Sequence, residues 1–253
     1  MSGLIPRLLP ETFDEPVTSD LQFPDQQDVA RWFDGAYRDL GFDYLRPFEA
    51  YPIFLQLLDA QHGHRLLDVA CGPGLLLKAS RLRGVIPSGV DISEVAVSMA
   101  QELVPEADVR VANAESLPFE DRQFDLVTCI GSLERMFNRE KALEEMRRVT
   151  KPGGRLCVML RNASAPGWRI WRRILRRQNF AGHQDARDLE SWRDLLESAG
   201  FSVENIVVDQ WGRQKLRRWL RCGRRPDFST PEPIARPWTS LRWAYEHVFL
   251  LRR

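Results

Sequence analysis

An apolar run, Leu66-Leu67-Asp68-Val69-Ala70, leads into Cys71-Gly72-Pro73-Gly74, and a second acid, Asp91, follows Asp68 by 23 positions. A near-continuous apolar run is how a strand buried on both faces of a parallel sheet reads. Gly72 and Gly74 allow a tight turn and a close approach of backbone to ligand. An acid about 20 residues beyond a glycine-rich strand-to-helix turn grips ribose hydroxyls. Residue types and spacing together predict a site for a nucleoside-containing cofactor.

Missing residues narrow the choice. A dinucleotide site has Gly-x-Gly-x-x-Gly, the third glycine permitting tight helix–strand packing beneath a pyrophosphate. Counted from Gly72, that position is Leu77. No Gly-Lys-Ser/Thr follows the turn, so a phosphate cradle is poorly supported. The pattern Asp-x-Ala-x-Gly-x-Gly suits a ligand without phosphate whose cationic amino-acid part lies near the turn, a description that S-adenosylmethionine meets.

These residues must be placed by an alternation of strands and helices, which argues for a parallel sheet with crossover helices. Strands are expected near 65–70, 86–91, 107–112, 124–130 and 154–160, with helices near 74–83, 93–103 and 139–150. The helix near 139–150 has Asn138 as N-cap, Glu140 in its first turn and Arg147-Arg148 in its last, charges that complement the helix dipole. A further helix is expected over 186–199, stopped by Gly200, and strands near 201–209 and 244–251. Residues 1–25 are Pro-rich, and residues 26–60 hold helical stretches with many aromatics, Trp32, Phe33, Tyr37, Tyr44 and Tyr51 among them.

Four blocks carry a family resemblance in order: Leu67-Asp68-Val69-Ala70-Cys71-Gly72-Pro73-Gly74; Gly89-Val90-Asp91-Ile92-Ser93; Asn113-Ala114-Glu115-Ser116-Leu117-Pro118-Phe119 with Phe124-Asp125-Leu126-Val127; and Glu145-Met146-Arg147-Arg148-Val149-Thr150-Lys151-Pro152-Gly153-Gly154-Arg155. The chain resembles class I S-adenosylmethionine-dependent methyltransferases, close to the ubiquinone/menaquinone-biosynthesis-like (methyltransferase type 11) branch. The resemblance implies an α/β fold, a doubly wound, mostly parallel seven-stranded Rossmann-like sheet whose last two strands form an antiparallel pair. The aromatic content of residues 26–60 and their position outside the cofactor-binding core predict an N-terminal tail and helical lid over residues 1–60, with the cofactor-binding core over 61–253. Basic insertions interrupt that core near 161–185 and 211–240. S-adenosylmethionine is the implied cofactor, with its methionine end at Asp68, Ala70, Gly72 and Gly74. Asp91 would take the ribose and Ile92 the adenine. Asn113 stands where the family often has an acid beside the adenine amine, and its carbonyl can accept from that amine. Ala114 and Glu115 would add backbone contacts, and Ile130, Gly131 and Leu133 would line the sulfonium end. No residues are assigned to a metal.

Methyl transfer is an in-line displacement whose donor is already activated, so alignment is the protein's main contribution. A hydroxyl or amine acceptor also requires a base, typically contributing ~10²–10⁴-fold. The candidates are His183, Glu134 and Asp185. Two have a plainer reading: a structural hydrogen bond for Glu134, and for Asp185 a cap on a helix starting at Ala186.

Composition sets the wider bounds. A chain of 253 residues suits one α/β domain. No apolar run reaches the ~18 residues that span a bilayer. Met1 to Pro10 does not read as a signal peptide. The cysteines at 71, 129, 157 and 222 are scattered, so reduced thiols and a cytoplasmic location are expected. Residues 161–253 hold 19 basic and 10 acidic side chains, leaving 17 and 25 to residues 1–160. Such asymmetry hints at an anionic partner. Trp168 and Trp171 sit among Arg169, Arg172, Arg173, Arg176 and Arg177, and Lys215-Leu216-Arg217-Arg218-Trp219 repeats the theme. Basic amphipathic stretches of this kind lie on anionic membranes, pair with acidic surface of their own chain, or grip nucleic acid. Nucleic acid is disfavoured, because no Asn/Asp-Pro-Pro-Tyr/Phe or Pro-Cys motif is present. The reading is methyl transfer to a small-molecule acceptor, which could be lipid- or saccharide-linked. The alternatives are an RNA methyltransferase and a non-catalytic cofactor-binding interaction module.

Overall fold

The computed structural model describes residues 25–166, 186–209, 211 and 239–253. Two helices come first, α1 (Gln26–Leu40) and α2 (Pro52–Leu57). The alternating unit follows: β1 (Arg65–Val69), α3 (Leu75–Leu82), β2 (Ile86–Asp91), α4 (Glu94–Leu103), β3 (Asp108–Val111), β4 (Phe124–Ile130), α5 (Arg139–Val149) and β5 (Thr150–Arg161). It ends with α6 (Leu189–Ser198), β6 (Ser202–Val208) and β7 (Glu246–Arg252). The sheet order is β3-β2-β1-β4-β5-β7-β6. Strands β1 to β5 run parallel, and β7 runs antiparallel to both β5 and β6. This is the doubly wound seven-stranded arrangement anticipated from the sequence.

The order reverses between β1 and β4, and open α/β sheets bind ligands at the carboxyl ends of strands beside such a switch point. Side chains alternate across the strands. Leu67, Val69, Val127 and Val158 face one side, with Leu143 and Met146 of α5 and Trp192 and Leu196 of α6. Leu66, Leu126, Cys157 and Met159 face the other, with Phe54 and Leu55 of α2 and Leu76 of α3. Both faces of the parallel strands are thus covered, as their unbroken apolar sequences require.

The caps follow the sequence closely. Ser93 Oγ accepts from Ala96 N–H at 3.1 Å and Asn138 Oδ1 from Lys141 N–H at 2.9 Å. One boundary is corrected: the helix expected from Ala186 begins at Leu189, and its cap is Asp188, whose carboxylate accepts from Ser191 N–H at 2.8 Å. Asp188 followed by Leu-Glu-Ser fits the preference for an N-cap acid with another acid in the first turn, whereas Arg187 forms a β-bridge to Asn162. Capping by Asp185 therefore has no role at this helix. Cys71, Cys129 and Cys157 are buried free thiols, and burial raises the pKa of each.

Trp192 links the core to the strand end. It is wholly buried, and its Nε1–H donates to the Arg161 carbonyl at 2.9 Å. Truncating a buried Trp costs about 3–5 kcal/mol, which lowers Tm by roughly 10 °C in a domain of this size. Trp192→Ala should show that loss in a thermal melt; a shift of only a degree or two would contradict the packing described.

Candidate functional site

The turn after β1 is built from backbone conformations that few residues adopt easily. Ala70, Gly72 and Gly74 have φ of 60°, 52° and 84°. Gly72 also makes room: a Cβ there would stand 3.0 Å from the Tyr37 hydroxyl of α1. At Gly74, which precedes α3, a Cβ would meet the Cβ of Ala100 at 3.0 Å and its Cα at 3.2 Å. The first glycine lets α1 close over the turn, and the second lets α4 pack beneath it.

Two buried carboxylates flank this turn. Asp68 Oδ1 accepts from the Thr128 hydroxyl at 2.6 Å. Asp91 Oδ2 accepts from Gly72 N–H at 2.8 Å and Oδ1 from Ser93 N–H at 3.0 Å. Burial raises the Asp68 pKa to about 7; the Thr128 hydrogen bond opposes that rise and Asp91 adds to it. Asp91 is also raised, chiefly by burial, although the amides of Ser93 and Gly72 favour its ionised form. Desolvated carboxylates of this kind favour a cation beside them.

A cavity of about 360 Å³ opens over the turn. Asp68, Ala70 and Gly72 line it, as do Asp91 and Ile92 from the end of β2. Asn113, Ala114 and Glu115 form another wall, and Ile130 and Gly131 continue it from the end of β4. Two residues expected at the cofactor, Gly74 and Leu133, are not among those that line this cavity. Gly74 serves the α3–α4 packing, and Leu133 is fully buried in the core beneath α5. Asn113 is committed locally: its Oδ1 accepts from Glu115 N–H at 3.0 Å, and its amide donates to Gln26 of α1 at 2.5 Å.

Of the candidate bases, His183 and Asp185 lie outside the described residues. Glu134 is 1% exposed. It belongs to a short 3-10 turn, Leu133–Arg135, and its Oε2 has no hydrogen-bond partner among the described residues. It does not line the cavity, although its neighbour Arg135 does.

Several lining residues had no motif to betray them. Phe33, Tyr37 and Tyr44 arrive from the N-terminal helices and stack edge-to-face or offset, with Tyr37 and Tyr44 centroids 5.4 Å apart. Their aromatic density was the available signal. Arg46 donates to Asp209 at 2.9 Å and also contacts Glu246. Burial alone would lower the Arg46 pKa, but Glu246 and Asp209 raise it. Arg161 lies 4.0 Å from Glu246 and over the Tyr245 ring. These partners are distant in sequence, so no local pattern could reveal them.

The fold agrees with the comparisons. Residues 67–158 match the family model described as "Methyltransferase domain". A ubiquinone/menaquinone biosynthesis C-methyltransferase from Cupriavidus pinatubonensis is 32% identical over 174 residues, covering 61% of this chain and 69% of that protein. The same enzyme from Burkholderia orbicola is 34% identical over 149 residues, covering 54% of this chain and 60% of its own. The crystal structure of the cyclase SpnF superposes with a TM-score of 0.65 at 20% identity, covering 93% of this chain and 99% of that one. The chain belongs to the class I S-adenosylmethionine-dependent methyltransferases. It spans about 60% of the length of the first curated relatives it matches.

The residues at the turn fit the family's cofactor: two desolvated acids suit its ammonium and ribose hydroxyls, and the absence of a phosphate cradle suits a phosphate-free ligand. The raised Asp68 pKa has a measurable consequence. Between the unfolded carboxylate range near 4 and about 7, the folded protein holds a proton the unfolded chain has lost, so stability of the ligand-free protein falls as pH rises through that window. Binding of a cation at Asp68 requires the ionised form. Affinity for S-adenosylhomocysteine should therefore rise about tenfold from pH 6 to pH 8. Calorimetry on Asp68→Asn should show no such dependence. An equal pH response in the variant would place the titrating group elsewhere.

Proposed function

We propose that the protein transfers a methyl group from S-adenosylmethionine to a small, largely apolar acceptor. The observation that carries this reading is one continuous cavity, acidic and glycine-lined at the β1 and β2 ends, with aromatic walls from α1 and the segment after it. The bound cofactor supplies an electrophilic methyl group on a sulfonium. Asp91 holds the ribose hydroxyls with the carboxylate lone pairs that Gly72 and Ser93 leave available. Asp68 faces the ammonium group. Ile92 packs against the adenine, beside Asn113, Ala114 and Glu115. Ile130 and Gly131 border the reacting carbon. Fold alone does not fix chemistry, and the superposition on a cyclase makes that concrete.

In this reading residues 1–60 act as a lid. Asp34 of α1 accepts from Ser93 Oγ at 2.5 Å and from Val95 N–H at 3.2 Å. Tyr37 stands against Gly72. A closed lid excludes water and holds donor and acceptor in line. The relatives named as ubiquinone/menaquinone biosynthesis C-methyltransferases support carbon as a methylation point. Lipid- or saccharide-linked acceptors, and peripheral membrane contact through the Arg/Trp-rich segments, belong to the same proposal. Most of those segments lie outside the described residues. No helix among the described residues is long and apolar enough to cross a membrane. For a hydroxyl or amine acceptor, the base is drawn from His183, Asp185 and Glu134.

Two measurements test this. Asp91→Ala should weaken S-adenosylhomocysteine binding about 10- to 100-fold, the worth of hydrogen bonds to a charged group; unchanged affinity would remove the ribose assignment. Radiolabelled methyl transfer should then be measured on a panel of hydroxylated aromatic compounds. Where a product forms on oxygen or nitrogen, the variant among His183→Ala, Asp185→Asn and Glu134→Gln that loses roughly 10²–10⁴-fold in kcat with intact cofactor affinity identifies the base. Cofactor binding without transfer to any acceptor would favour an interaction module.

A further inference from the structure

Three arginines line the cavity, and they differ in how they are neutralised. Arg46 is held by Asp209 and Glu246. Arg161 is within 4.0 Å of Glu246. Arg135 has no carboxylate within ion-pairing distance among the described residues. Its Nη1 donates to the Tyr44 hydroxyl at 3.1 Å, its guanidinium lies 5.5 Å from the Phe33 ring centroid, and its Nε is buried without a partner. Among the described residues Nη2 carries no hydrogen bond and is not one of the buried orphaned atoms, so it is available to whatever occupies the cavity. Burial lowers the pKa of this group, yet Tyr44 and Glu134 hold it above its ordinary value, so it stays charged.

Glu134, the residue before Arg135, acts on it only through space, and a buried guanidinium with no carboxylate paired to it directly is matched by an anion that enters the cavity. The acids Asp68 and Asp91 stand on the wall made by β1 and β2, which suits the cationic part of the cofactor. Arg135 stands on the turn after β4, with Met136 and Phe137 beside it and Phe33 and Tyr44 across from it. Flat apolar walls around one guanidinium describe a pocket for an aromatic acid. We infer that Arg135 binds a carboxylate carried by the acceptor, so that the substrates are aromatic or similarly flat carboxylic acids. The inference rests on the methyl-transfer reading for the word acceptor, but not for the binding itself. Tyr44 orients the guanidinium through Nη1 and leaves Nη2 to the ligand. The planar guanidinium matches a carboxylate in shape as well as charge.

The test is a calorimetric titration of the full-length protein, with and without saturating S-adenosylhomocysteine. The probes are 4-hydroxybenzoate and 1-naphthoate, each against its primary amide. The acids should bind at least tenfold more tightly than the amides. Arg135→Gln should abolish that preference, a loss of about 10- to 100-fold for the acids, and Arg135→Lys should restore part of it. Affinity for S-adenosylhomocysteine should change less than threefold in both variants. Equal binding of acid and amide, or no binding of any acid at millimolar concentration, would overturn the inference. So would a tenfold loss of S-adenosylhomocysteine affinity in Arg135→Gln, which would give the anion to the cofactor's own carboxylate. Failure of the wild type to bind S-adenosylhomocysteine is a separate result: it removes the methyl-transfer reading, while the titration without it still reports on Arg135.

Discussion

Asp91 ties together the turn after β1, the end of β2 and the start of α4 by hydrogen bonds. One oxygen accepts from the amide of Gly72, in the turn after β1, and the other from Ser93, which starts α4. Ser93 in turn caps α4 and donates to Asp34 of α1. Turn, strand end, helix start and N-terminal helix are thus held by one short chain of hydrogen bonds. Its first member is a carboxylate that burial works against. A desolvated acid is tolerated because backbone amides satisfy it, and the geometry of those amides shapes the cavity floor.

The opposite end of the cavity is organised by charge. Arg46 comes from the segment between α1 and α2, and its partners Asp209 and Glu246 come from the end of β6 and the start of β7. Buried ion pairs add little net stability, but removing one member costs about 3–5 kcal/mol because the other is stranded. The group therefore acts less as a source of stability than as a register pin. It sets the segment carrying Tyr44 and Tyr51 against the antiparallel pair, and so fixes the width of the aromatic pocket.

Much of this was legible in the residues. The apolar run ending in Asp68 gave β1, the glycines gave the turn, and the spacing to Asp91 gave the end of β2, because each is a local consequence of backbone geometry. The cap at Asn138 was readable for the same reason, whereas the antiparallel pairing of β6 and β7 came from the family resemblance. The start of α6 was misplaced by three residues because two aspartates, Asp185 and Asp188, both satisfy the capping preference, and only the bridge between Arg187 and Asn162 excludes a helix before Leu189. Gly74 and Leu133 were assigned to the cofactor from their motifs, whereas their surroundings are α4 and the apolar core. Thr128, Arg46, Arg135 and Glu246 matter through partners that are remote in sequence, so no window of residues could display them.

The separation between Arg46 and its partners, 163 and 200 residues, also bears on how the chain acquires its shape. Contacts of such long range are paid for in loop-closure entropy and form late. Strands β1 to β5 can pair from neighbouring sequence, so the glycine-rich turn and its two acids can be in place while Arg46 still lacks both counter-charges. Until β7 inserts between β5 and β6, the aromatic wall lacks the hold that Asp209 and Glu246 give it through Arg46. A ligand bound at the turn during this interval would stabilise the half-formed sheet by mass action, making the cofactor a participant in maturation as well as in turnover.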